Sequence, residues 1–167
     1  RSTPEAWRPT GRVREHRQLV RQRHSVQGRI TSVKNRLRRL LSDHNADLPG
    51  VFGDSGLSAA GARHLAGLSL RSEEQFVSDS LRGELEFHLS QLKQVDERLR
   101  KFARQAGTAE SEARALLGSV PGVGKVATEV ILSEVGEIRR FRSQKRVASY
   151  AGLSPGFLIG GVPRNFG

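Results

Sequence analysis

From Gly11 to Asn45 the chain runs without proline, and Val26, Ile30, Val33, Leu37 and Leu40 recur in steps of four, three, four and three. That spacing follows the helical period, so these side chains form one stripe on a long α-helix. Its other sides carry Arg14, Arg17, Arg21, Arg23, Arg29, Lys34, Arg36, Arg38 and Arg39. Residues 1–10, with Pro4 and Pro9, read as an extended lead-in. Pro49 and Gly50, Gly53 and Gly56 make residues 47–58 a loop, and a short helix is predicted from Ser58 to Leu68. Ser72 and Gln75 have the spacing of a capping box and predict the start of a second long helix, reaching Gln105. Its stripe is Leu81, Leu85, Leu89, Leu92, Val95, Leu99 and Phe102. Two long helices with narrow apolar seams predict an antiparallel coiled-coil hairpin over residues 11–107. Gly107 is a candidate C-cap, and Thr108 a cap for the next helix, to Leu117.

The last third changes character. Leu116 and Leu117 lead into Val120-Pro121-Gly122-Val123-Gly124-Lys125, and a further helix covers Thr128 to Val135. A helix, a tight Pro-Gly turn and a second helix read as a helix–hairpin–helix element. Without side chains at Gly122 and Gly124, the backbone amides at the new helix start are open to a phosphate, with the Lys125 charge beside them. Val120 and Val123 are expected to pin the turn into the core. Gly136 is a candidate C-cap, and Ser143 caps a helix ending at Gly152. Between them lie Arg139, Arg140, Arg142, Lys145 and Arg146, a basic cluster that adds to the candidate nucleic-acid surface, as does Arg164. An ordinary helical hairpin with a solvated basic face is the plain alternative.

Charge sharpens this picture. The 167 residues carry 28 Lys plus Arg against 17 Asp plus Glu, a formal net charge of +11. Arginine supplies 23 of the basic residues, and arginine is the side chain of bidentate phosphate contacts. Residues 1–45 have net charge +9, residues 46–110 have −2 and residues 111–167 have +4, so two basic ends flank a near-neutral middle. The few aromatic residues do not interleave with the basic runs, which favours phosphate contact over base stacking. Cysteine is absent, which excludes disulfides, thiolate metal sites and a thiol nucleophile. No apolar run approaches the roughly 20 residues of a membrane span, so a soluble chain with no membrane partner is expected. Methionine is absent even at position 1, and the chain reads as a piece of a longer protein. His16, His24, His44, His64 and His88 show no metal spacing and read as surface positions.

Val120-Pro-Gly-Val-Gly, Ala127, Glu134-Val-Gly136, Arg140-Phe141 and Tyr150-Ala-Gly-Leu-Ser-Pro155 resemble the C-terminal domain of insertion-sequence transposases of the one-ten/eleven-eleven group, relatives of the pilin-inversion recombinases. Arg17-Gln-Leu-Val-Arg-Gln-Arg23 and Lys34-Asn-Arg36-Leu37 resemble the stretch leading into that family's coiled coil. The resemblance implies a recombinase that cuts and rejoins DNA. Such proteins pair an RNase-H-like domain of four metal-binding acidic residues with a C-terminal serine nucleophile. Some members are directed by a guide RNA. It also implies homo-oligomers assembled through the coiled coil, in the bacterial cytoplasm at the nucleoid.

The sequence departs from that pattern twice. No carboxylates with metal-ligand spacing occur, since Glu84 and Glu86 lie on helix faces, so no metal site is expected here and Mg²⁺ belongs to the acidic domain of the parent protein. The family's serine falls, counted without gaps from Pro155, on Gly160, in a run from Phe157 to Arg164 that holds no hydroxyl. Ser154 is the remaining weak candidate, so no catalytic residue is assigned and the chain alone is expected to be inactive. The resulting expectation is an all-α protein of three parts: residues 1–10, the helical region 11–107 and the incomplete domain 108–167. Its function would be the DNA-binding and oligomerising part of a transposase. A non-catalytic helix–hairpin–helix module of a repair or replication protein, or a structural coiled coil, are the rivals.

Overall fold

A computed structural model describes residues 7–46, 50–53 and 56–152. Helix α1 (Gly11–Asp43) starts where the Thr10 hydroxyl accepts a hydrogen bond from the Val13 amide. Two short strands, β1 (Phe52–Gly53) and β2 (Gly56–Leu57), pair antiparallel within the expected loop. Helix α2 (Ala59–Ala66) follows, capped by Ser58, and then α3 (Ser72–Arg104). Helices α4 (Thr108–Gly118), α5 (Lys125–Val135) and α6 (Gln144–Tyr150) follow, with a 3-10 turn at Ile138–Arg140. The class is all-α, as expected.

The start of α3 differs from the expected capping box. Ser72 is its first helical residue and Arg71 its N-cap. The Glu74 carboxylate accepts from the Arg71 backbone N–H at 3.0 Å, while an arginine side chain has no acceptor to return. That backbone bond, with the Arg71 charge, holds the Glu74 carboxyl below its usual range. Gln75 instead donates to Asp79. Similarly, Gly107 is the N-cap of α4 with ordinary negative φ, Thr108 is the first helical residue, and Gln105 is the C-cap of α3.

Residues 12, 23 and 36 of α1 and its C-cap His44 meet residues 102, 96, 84 and 74 of α3, so the two helices run antiparallel. Val26, Ile30, Val33 and Leu37 bury themselves against Leu81 and Leu85, with Leu89 and Leu92 packed alongside. Val20 meets Val95 and Leu99 lower down. At the far end Leu41, Ala46, Val51 and Leu65 make a second core beneath α2 and the strands. Helices α4 and α5 form a pair that packs on the first turns of α1, and α4 buries no residue completely.

Candidate nucleic-acid interface

The turn between α4 and α5 holds Gly122 at φ +84, a left-handed conformation that glycine adopts without strain. Gly124 is the N-cap of α5 and is exposed. No side chain caps the first amides of α5, so that helix end presents unpaired N–H groups and its positive dipole end. Lys125 stands exposed at the first helical position. Val123 is half-buried, but Val120 is 46% exposed, so the turn is not pinned by both valines. The α4–α5 pair has too little hydrophobic cover on that side: Leu116, Val126 and Val130 are exposed too.

The opposite end of α5 is closed. Arg17 of α1 donates to the Ser133 and Glu134 carbonyls at 2.8 and 2.9 Å. The Tyr150 hydroxyl donates to Glu134 O, and Arg140 Nε to Val135 O. Three side chains thus satisfy the last carbonyls, two of them cationic, where the dipole favours positive charge. Gly136 then leaves at φ +62, with the Trp7 ring against it.

Two carboxylates carry the docking of α4–α5 on α1. Glu129 of α5 accepts from His16 of α1 at 2.8 Å and from Arg114 of α4 at 2.7 Å. Glu110 accepts from Arg12 at 2.6 Å and from Arg114 at 3.0 Å. The Phe102 ring stacks on His16 and lies beneath the Arg12 guanidinium. Burial would raise the Glu129 carboxyl, but the His16 and Arg114 hydrogen bonds and charges outweigh it and hold the group at about 2. Burial and the same kind of bonds, from Arg12 and Arg114, oppose each other at Glu110, with a net lowering. The Glu129 hydrogen bond raises Arg114 in turn.

This cluster was not legible as a site. Arg12 with His16 and Glu110 with Arg114 have helical i, i+4 spacing, the single signal available, but nothing in the sequence joins the two pairs. The histidines also differ from the surface positions expected. His16 and His88 are buried, His44 and His64 half-buried, and only His24 is exposed. Each buried or half-buried ring has a local partner: His88 and His44 meet Glu84 and Glu74, and His64 the Ala46 carbonyl.

The expected site residues separate into two groups. Gly122, Gly124 and Lys125 sit at one end of α5. Arg139, Arg140, Arg142, Lys145 and Arg146 follow its other end, about 16 Å away at 1.5 Å per residue. Arg139, Arg142, Lys145 and Arg146 are exposed. Arg140 is half-buried, its guanidinium 4.0 Å from the Trp7 and Phe141 ring centres and 4.6 Å from Tyr150. It is committed to this aromatic cage. Ser154, Gly160 and Arg164 lie outside the described residues.

The residues that do share a space with the turn come from the long helices. Gly124 and Lys125 line a groove of about 930 Å³ together with Arg23, His24, Arg100 and Arg114. Arg23 is paired with Asp96 at 2.7 Å and Arg100 Nε donates to the Asp96 carbonyl at 3.2 Å, while His24, Arg100 and Lys125 form its exposed rim. Among the described residues no three acidic, histidine or cysteine side chains come together to hold a metal, and no helix is long and apolar enough to cross a membrane. Comparison with curated proteins and with solved structures gives no match. Residues 114–157, from mid-α4 past α6, match the family model described as Transposase IS116/IS110/IS902 family. Over that stretch, which holds both the open turn and the caged Arg140, the chain is similar to transposases of the IS116/IS110/IS902 family.

Proposed function

We propose that this chain is a DNA-binding part of its transposase, and that the open N-terminus of α5 with Lys125 is a phosphate contact. The observation that supports it is the placement of an uncapped helix start, flanked by Lys125, Arg100 and His24, inside the transposase-like segment. Backbone amides and point charges read phosphate rather than base sequence, so binding would be largely sequence-independent and steeply weakened by salt. Arg142, Lys145 and Arg146 would meet phosphates farther along, since they lie beyond the opposite end of α5. A guide RNA offers the same phosphates and is the alternative ligand of these groups.

The experiment is a salt titration of duplex binding by fluorescence anisotropy. Lys125→Ala should flatten the slope of log K against log salt by about 0.9. Gly124 has ordinary φ and open space around its Cα, so Gly124→Val should fold normally and lower affinity while leaving the slope nearly unchanged. Full affinity in both variants would remove the turn from the interface.

Self-association belongs to the same proposal, on a different surface from the one expected. The seams of α1 and α3 are consumed against each other within one chain. Phe76 and Phe87, 75% and 58% exposed on α3, are apolar side chains of the hairpin that a second copy would cover. Light scattering at micromolar concentration should show a dimer or larger, and Phe76→Glu with Phe87→Glu a monomer.

A further inference from the structure

Helix α1 carries ten basic and two acidic residues, while α3, of equal length, carries six and seven. The basic side chains of α1 sort by the side on which they stand. Arg12, Arg23, Lys34 and Arg38 lie on the inner half and flanks, and each has a partner: Glu110, Asp96, the Gly53 carbonyl and the Phe52 ring. Arg14, Arg21, Arg29, Arg36 and Arg39 fall within an arc of about 100°, centred about 120° round the helix from the buried seam, at 100° per residue. All five are exposed. Arg21 and Arg36 make exposed pairs with Glu134 and Glu84, and among the described residues Arg14, Arg29 and Arg39 make no ion pair or hydrogen bond. From residue 14 to residue 39 no acidic side chain enters this arc, and Asp43 enters it only one turn later. Between the arginines the arc is floored by Ser25, Gly28 and Ser32, and a Cβ at Gly28 would meet nothing within 4 Å.

A solubilising face mixes both signs, because like charges along one helix face repel. A single-sign stripe with small residues between the charges fits a polyanion that approaches closely. We propose that the outward face of α1 is a binding surface for duplex DNA, separate from the α5 turn. In it Arg14, Arg21, Arg29, Arg36 and Arg39 meet backbone phosphates on either side of the low strip Ser25, Gly28 and Ser32. This goes beyond the turn and shares with it only the class of ligand.

The geometry selects the duplex. The stripe is a straight rod of about 38 Å, the length of roughly eleven base pairs at 3.4 Å each. Successive arginines from 14 to 36 are seven or eight residues apart, about 10–12 Å, which is the scale of the major groove of B-form DNA and places one arginine near each phosphate edge. A-form RNA has a deep, narrow major groove that offers no such pair of edges. Single strands are held on aromatic platforms, and this arc has no aromatic residue.

The test uses the 167-residue chain with duplexes of 6, 12 and 18 base pairs, matching single strands and an RNA duplex, read by anisotropy across a salt series. Affinity should rise steeply from 6 to 12 base pairs and then level. The triple variant Arg14→Ala, Arg29→Ala and Arg39→Ala removes no internal partner, so its thermal unfolding should match the parent. Its salt slope should fall by about 2.7, three contacts at 0.9 each, with at least a tenfold loss of affinity near physiological salt. Gly28→Leu keeps every charge and should weaken binding with the slope unchanged. Unaltered affinity and slope in the triple variant overturn the proposal, as does equal or tighter binding of the single strand or the RNA duplex. So does a triple variant that binds DNA normally but loses self-association, which would assign the stripe to the acidic first half of α3 in a second copy. Loss in the triple variant with Gly124→Val unaffected would retain this surface and discard the turn. The reverse would do the opposite.

Discussion

The α1–α3 pair and the α4–α5 pair are held to the same helix by opposite chemistry. Against α3, α1 buries Val26, Ile30, Val33 and Leu37 in a continuous hydrocarbon seam. Against α4 and α5, the same helix offers Arg12, His16 and Arg17, which meet carboxylates and carbonyls. Hydrocarbon contact is non-directional and scales with area, so the first pairing tolerates many sequences. The second depends on directed bonds whose loss leaves charges without partners. A helix can therefore change the means of attachment along its length, and the two attachments should fail under different conditions.

The most damaging single change should be in the seam. Ile30 is fully buried, and Ile30→Ala should destabilise the whole chain by about 3 kcal/mol through lost transfer energy plus a cavity. Denaturant unfolding followed by circular dichroism measures this, and an effect below about 1 kcal/mol would mean the seam repacks. Next is Glu129→Gln, which leaves Arg114 and His16 facing a neutral amide. We expect a loss of about 2 kcal/mol, confined to the docking of α4–α5. Amide exchange should then accelerate about 30-fold across residues 125–135, with the middle of α3 unchanged. A global loss would show that the two attachments are one cooperative unit.

Acid should mimic that variant. The folded-state carboxyl of Glu129 lies near 2, below its ordinary value of 4.5, so its contribution is complete above about pH 5 and fades as pH falls toward 2. Part of the solvent still screens this cluster, so the contribution is about 1–3 kcal/mol. The α4–α5 amides should lose protection over that window before the seam does, and Glu129→Gln should remove the difference. The smallest effect expected is a gain. Gly28 sits mid-helix with open space around it, and Gly28→Ala should stabilise α1 by about 0.5–1 kcal/mol. No gain in melting temperature would point to a constraint on that face in the free protein.

The all-α class, the two long helices and the stripes that join them followed from the 3.6-residue recurrence of Leu, Val and Ile. Burial of an apolar stripe is a local pattern with one outcome: the stripe turns inward. Gly122 and Gly136 were also legible, because a left-handed turn admits few residues. Polar side chains carry no such instruction. Whether Arg140 reaches a phosphate or enters a cage of Trp7, Phe141 and Tyr150 depends on what the chain brings to it from more than 130 residues away. The same holds for His16, which reads as a surface histidine until α5 places Glu129 at 2.8 Å. Periodicity thus determined which faces of the helices are buried. Only the tertiary structure decided which charges are spent inside the molecule and which remain for a ligand, because ion pairs form across sequence distances that no local pattern encodes.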